Sequence, residues 1–183
     1  RDTAKLAYHL LNDFPEVLET SSKSSLNFKD GREYKNFNWM LPGLIFAYEG
    51  VDGLKTGSTD FPGFCFTATA ERDGQRYISV VMKSTTKNER FADTTKLLNY
   101  AFSSFDKEEL VKEGYVPKKD NTVAVDKGKE DSVKVETSEA LDLVIEKGTA
   151  KDYKTIVVID KDKLNKDGEL TAPIKKGDKI GYV

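Results

Sequence analysis

Two kinds of periodicity alternate along the first hundred residues, and only one of them continues beyond. Ala4, Leu6, Ala7, Leu10 and Leu11 recur at helical spacing, and the pattern predicts a helix that breaks near Asn12-Asp13-Phe14-Pro15. From Leu26 to Phe37 apolar and polar positions alternate weakly around Asp30-Gly31, a hairpin signal. After Trp39 to Gly43 come three strand patterns, Gly53 to Ser58, Gly63 to Glu71 and Gln75 to Lys83. The last two are joined across Asp73-Gly74, a favoured two-residue hairpin turn. Asn88 is then placed to cap a helix whose apolar face is Phe91, Leu97, Leu98, Ala101, Phe102 and Phe105. Residues 1–105 therefore read as α+β, an antiparallel sheet with covering helices.

Beyond residue 105 no helical stripe remains. Val123 to Val125, Val133 to Val135, Leu141 to Ile145, Thr155 to Ile159 and Ile180 to Val183 are short β-rich runs separated by Asp, Lys and Gly. This spacing suits a small all-β sandwich or barrel of antiparallel strands over 106–183. The pattern of Ile180 to Val183 stops in mid-strand, so residues are expected to be missing there. Composition changes at the same boundary: 16 of the 19 aromatic residues lie in 1–105, which predicts two domains with different cores.

Charge and rare residues narrow the chemistry. Twenty-nine Lys and Arg against 31 Asp and Glu in 183 residues give a net charge of -2, without the basic footprint of a nucleic-acid binder, and no nucleic acid is expected as a partner. No run approaches the length of apolar chain needed to span a bilayer. One cysteine, Cys65, and one histidine, His9, give no Cys/His metal site and no cofactor, and make His9 the sole imidazole base available to a catalytic triad. A lysine is the better base for any nucleophilic chemistry. His9 reads as a helix-surface residue, Cys65 between Phe64 and Phe66 as a small buried hydrophobe, Trp39 as packing, and Asp52 as a turn anchor.

The stretch that carries chemistry is Val51-Asp52-Gly53-Leu54-Lys55-Thr56-Gly57-Ser58-Thr59. On an edge strand Lys55 and Gly57 share one face and Thr56 takes the other, unless the strand bulges. Glycine there lets a ligand backbone approach and pair as an added strand, and an ammonium beside hydroxyls suits a carboxylate. Lys-Thr-Gly is also one of the three signatures of penicillin-binding proteins and class A β-lactamases.

The context extends that signature. The 51–59 stretch, followed by Gly63-Phe64-Cys65-Phe66-Thr67-Ala68-Thr69-Ala70, Asp73-Gly74-Gln75-Arg76 and Ile78-Ser79-Val80-Val81-Met82, closely resembles the serine D-Ala-D-Ala carboxypeptidases, the low-molecular-mass penicillin-binding proteins. Asn88 to Asp93 and Lys96 to Phe102 continue the likeness into the helix, Arg1-Asp2 and Asp13 to Glu16 resemble the helix after the family's middle motif, and Ala172 to Gly177 a loop of its C-terminal β domain. The resemblance implies the C-terminal half of a penicillin-binding, β-lactamase-like transpeptidase fold over 1–105, followed by the all-β domain over 106–183.

It also implies roles. Lys55 would supply positive potential for the substrate's terminal carboxylate, Thr56 a hydroxyl for it, and Gly57 room. The backbone N–H of Ser58 would be one of two oxyanion donors, and Arg90 would help hold the carboxylate. The implied partners are peptidoglycan stem peptides and β-lactam antibiotics, in an extracytoplasmic location at the cell envelope, with membrane attachment only through a segment outside this chain. The family's Ser-x-x-Lys and Ser-x-Asn precede Lys-Thr-Gly, whereas Ser84-Thr85-Thr86-Lys87 and Ser104-Phe105-Asp106-Lys107 follow it and Ser25-Leu26-Asn27 falls in the hairpin. The expectation is a chain without its nucleophile, inactive alone. A β-lactamase-like hydrolase on the same scaffold and a non-catalytic cell-wall binding module are the alternatives.

Overall fold

The computed structural model describes residues 1–61, 63–119 and 121–183, which form two compact units, Arg1–Ser104 and Phe105–Val183. The first unit is built on an antiparallel sheet in the order β3-β4-β5: Val51–Thr59, Gly63–Arg72 and Gln75–Ser84. Asp73 and Gly74 both have positive φ, 50° and 76°, as the tight turn between β4 and β5 requires. Ahead of this sheet lie α1 (Asp2–Asp13), a five-residue helix α2 (Val17–Ser21), and a short hairpin of β1 (Ser25–Asn27) and β2 (Glu33–Lys35). After it comes α3, Glu89–Ser104.

Period-two alternation gives the sheet two different faces. Phe66, Ala68 and Ala70 of β4 are buried and pack with Val51, Met40, Leu41 and, from α3, Phe91 and Leu98. Phe91 is central here: its ring stands 5.5 Å from Phe66 edge-on and stacks at 5.2 Å on Phe46 and 5.9 Å on Trp39. The opposite face carries Gly53, Lys55 and Gly57 of β3 beside Thr69, Thr67 and Cys65 of β4. The helix α2 covers only its Gly53 end. A Cβ on Gly53 would lie 2.9 Å from Ser21 Oγ and 3.1 Å from Thr69 Cγ2, so glycine is what lets α2 approach.

Asn88 holds the N-cap position of α3, its carbonyl accepting the Ala92 N–H at 3.1 Å, but the capping side chain is that of Thr86: its Oγ1 accepts the Glu89 N–H at 3.1 Å, while the Glu89 carboxylate accepts the Thr85 N–H at 3.0 Å. The bonds from Thr85 hold the Glu89 pKa below its ordinary value. Their contribution is therefore complete above that ordinary value and is lost as pH falls through the lowered one. Thr86→Ala is expected to cost about 1 kcal/mol at neutral pH, read as a lower urea midpoint at unchanged slope.

Among the described residues the second unit has three small sheets: β6 (Phe105–Val111) with β9 (Leu141–Glu146), β11 (Leu170–Thr171) with β7 (Thr122–Asp126) and β8 (Ser132–Lys134), and β10 (Val158–Ile159) with β12 (Gly181–Tyr182). Two expectations are corrected. Phe105 opens β6 and pairs with Glu146 instead of extending the α3 stripe. β11 pairs with β7 in parallel, so this unit is not wholly antiparallel. Its buried apolar side chains among the described residues are few: Val111, Pro117, Ile145 and Leu170.

Candidate functional site

Strand β3 borders only β4 among the described residues, so its other edge is open. Lys55, Gly57 and Ser58 are exposed on this edge strand, while Thr56, paired with Phe66 and 9% exposed, belongs to the buried face. The Lys55 ammonium turns back onto the carbonyl oxygen of Thr56 at 2.5 Å. At Gly57 a Cβ would find its nearest neighbour, Cys65 Cβ, at 4.0 Å, so nothing in the chain demands glycine there. Cys65 itself is half-buried opposite Gly57 and not in the core, because the core face of β4 belongs to its neighbour Phe66.

Arg90 reaches the same strand from below. It sits in the first turn of α3, 3% exposed, and its Nη1 donates to the carbonyl oxygens of Gly57 at 3.3 Å and Cys65 at 3.5 Å. Its guanidinium lies 4.7 Å from the centre of the Phe91 ring, and burial pushes its pKa down. Nε is buried without a hydrogen-bond partner. Lys55 and Arg90 thus put two cations against the 55–58 stretch, one from each side. An open strand edge under positive potential is suited to an extended peptide that ends in a carboxylate.

The other sequence candidates are placed elsewhere. Ser84 Oγ is buried without a hydrogen-bond partner, and the Lys87 ammonium lies 5.6 Å from the centre of the Trp39 ring. Lys107 pairs with Asp142 at 2.9 Å, Ser104 ends α3, and Ser25 begins β1. His9 is on the exposed surface of α1, 3.8 Å from Asp13.

Sequence reasoning missed the surroundings of Asp52. Instead of anchoring a turn through its own backbone, its carboxylate takes both arms of Arg76 from β5, at 2.9 and 2.8 Å. Arg76 also donates to Thr69 Oγ1 at 2.7 Å and pairs with Glu71, and these carboxylates raise its pKa further. The Asp52 carbonyl accepts Ser21 Oγ at 3.0 Å, and the Gly53 carbonyl accepts the fully buried Asn38 Nδ2 at 3.3 Å.

Comparison with known proteins follows the division into units. Residues 1–86 match the family described as D-alanyl-D-alanine carboxypeptidase, and residues 105–183 the family described as penicillin-binding protein 5, C-terminal domain. The chain is 36% identical over 138 residues to the D-alanyl-D-alanine carboxypeptidase DacF of Bacillus subtilis, covering 75% of this chain and 33% of DacF. The solved structure of penicillin binding protein 5 from Haemophilus influenzae superposes with a TM-score of 0.71 at 29% identity, over 98% of this chain and 49% of that one. Penicillin-binding protein D2 from Listeria monocytogenes, solved in cefotaxime-bound and ampicillin-bound forms, matches at 43% identity with a TM-score of 0.50, over 53% of this chain and 38% of that one. The chain spans between a third and a half of the length of these relatives.

Proposed function

Because the chain belongs to the low-molecular-mass penicillin-binding D-alanyl-D-alanine carboxypeptidases, we propose that its β3 edge is the substrate-binding wall of an enzyme that removes the terminal D-Ala from peptidoglycan stem peptides. The observation that carries this reading is the open edge at Lys55-Thr56-Gly57-Ser58, exposed and flanked by two cations. The substrate's C-terminal residues lie along that edge as an added strand. Lys55 faces the carboxylate from one side, and Thr56 offers its hydroxyl from the other, so the carboxylate sits across the rim of the strand. Arg90 adds positive potential from beneath Gly57 and steadies the Gly57 carbonyl.

The reaction is acyl transfer to a serine. The serine oxygen attacks the carbonyl of the penultimate D-Ala, and the Ser58 N–H is one of two donors to the oxyanion that forms. Collapse expels D-Ala, and water then hydrolyses the ester. A β-lactam follows the first half of this course, its ring amide taking the place of the peptide bond. The serine and its lysine base come from a Ser-x-x-Lys that precedes this chain; the fraction of the relatives' length that it covers supports this. The burial of Ser84 and the placement of Lys87 over Trp39 support the view that the Ser-x-x-Lys at 84–87 is not the nucleophile pair. The enzyme works at the cell envelope, outside the cytoplasm, and no described helix of this chain is long and apolar enough to cross a membrane.

Labelling with a fluorescent penicillin tests the assignment of the nucleophile. The full-length enzyme that carries this chain is expected to give a covalent band and residues 1–183 alone none. A band from residues 1–183 alone would place the nucleophile within this chain and overturn the assignment.

A further inference from the structure

We propose that Arg76, acting through Asp52, is a positioning residue that sets the face on which Lys55 meets the substrate; this rests on the substrate-binding role of the β3 edge. The register of β3 against β4 changes once. Val51 pairs with Ala70 and Gly53 with Thr69, so two steps on β3 match one on β4, and the extra residue is Asp52. From Gly53 onward the pairing is regular, Leu54 with Ala68, Lys55 with Thr67, Thr56 with Phe66 and Gly57 with Cys65. Side chains in a strand alternate faces, so without that extra residue the pairing beyond it would slip by one place and exchange Lys55 with Thr56. Lys55 would then be directed to the face that holds Phe66, and the buried Thr56 to the open one.

The bulge itself is held at Asp52. Arg76 reaches across from β5, the far strand of the sheet, and grips the Asp52 carboxylate with two parallel hydrogen bonds while a third fixes Thr69 on β4 between them. One guanidinium thus ties all three strands at the level of the irregularity. The Asp52 and Arg76 side chains are 24% and 25% exposed, so water competes only partly for the pair. The planar fork matches a carboxylate in a way a lysine ammonium cannot. Ser21 and Asn38 hold the backbone of the same two residues, 52 and 53, but neither touches the carboxylate.

A clamp that served stability alone would affect every substrate equally, whereas one that aims Lys55 acts on the recognition of a carboxylate. The test compares acylation of the full-length enzyme by benzylpenicillin and by benzylpenicillin methyl ester, in the wild type and in Arg76→Met, Arg76→Lys and Asp52→Asn, with thermal midpoints measured in parallel. The wild type is expected to prefer the free acid. In all three variants this preference is expected to fall by roughly tenfold, as for a misplaced binding group, with Arg76→Lys failing to restore it. An unchanged preference in the folded variants, even with lower rates for both compounds, overturns the proposal and leaves a structural clamp. If Arg76→Met does not fold, Asp52→Asn, which keeps the shape of the side chain, decides by the same ratio. A wild type that neither compound acylates would instead remove the reading on which the proposal rests.

Discussion

Lys55→Ala in the full-length enzyme is expected to lower kcat/KM for a D-Ala-D-Ala peptide by one to two orders of magnitude while leaving the unfolding midpoint unchanged. The two halves of this prediction have separate causes. Lys55 is exposed, and its described hydrogen bond is to the carbonyl of its own neighbour, Thr56, so the fold gains little from it. Substitutions of that kind shift stability by less than about 0.5 kcal/mol. A hydrogen bond between an ammonium and a carboxylate contributes about 1.5–3 kcal/mol, or roughly 10- to 150-fold in rate when it acts in the transition state. Loss of activity should shrink as salt rises, because the wild-type attraction is then screened. Equal kcat/KM in the variant and the wild type would remove Lys55 from the site.

Gly57→Val should have a still larger effect on activity, again without loss of stability. The backbone at Gly57 is ordinary extended strand, and an added Cβ meets only Cys65 Cβ, at 4.0 Å. Valine is favoured in strands, so the variant should fold at least as well as the wild type. What the side chain occupies is the space beside the open edge. A peptide or β-lactam that must approach the backbone there is excluded, and acylation by a penicillin is expected to fall about a hundredfold or more, as for displacement of a reacting group by an ångström. Gly53 is the internal control. It lies on the same strand, but its Cβ would press on Ser21 and Thr69, so Gly53→Val should fail by unfolding. Normal acylation of Gly57→Val would mean that substrate does not lie along β3.

The contrast between these glycines bears on what a sequence can disclose. The sheet from 51 to 84 was legible because its strands alternate, and because Asp73-Gly74 can adopt the two positive φ angles of a tight turn. The α3 stripe was legible as well, but its end was not: Phe105 continues the helical period, and its pairing with Glu146, 41 positions on, leaves no local trace. The parallel pairing of Leu170 with Val125 was hidden for the same reason. In the site, Lys55, Thr56, Gly57 and Ser58 announce themselves as consecutive residues. The partnership of Asp52 with Arg76 spans a strand between them and has no spacing signature. Burial of Arg90 against Gly57 was equally hidden, since a helical arginine reads as solvated until the packing of Phe91 beside it is known.

The most direct measurement is release of D-Ala from a peptide ending in D-Ala-D-Ala, followed by coupled amino-acid detection in the full-length enzyme and in its Lys55→Ala variant. One D-Ala per peptide is expected from the wild type, blocked by prior treatment with penicillin and strongly reduced in the variant. A wild type that acylates with penicillin yet releases no D-Ala, or one whose release is unaffected by loss of Lys55, would contradict the proposed function.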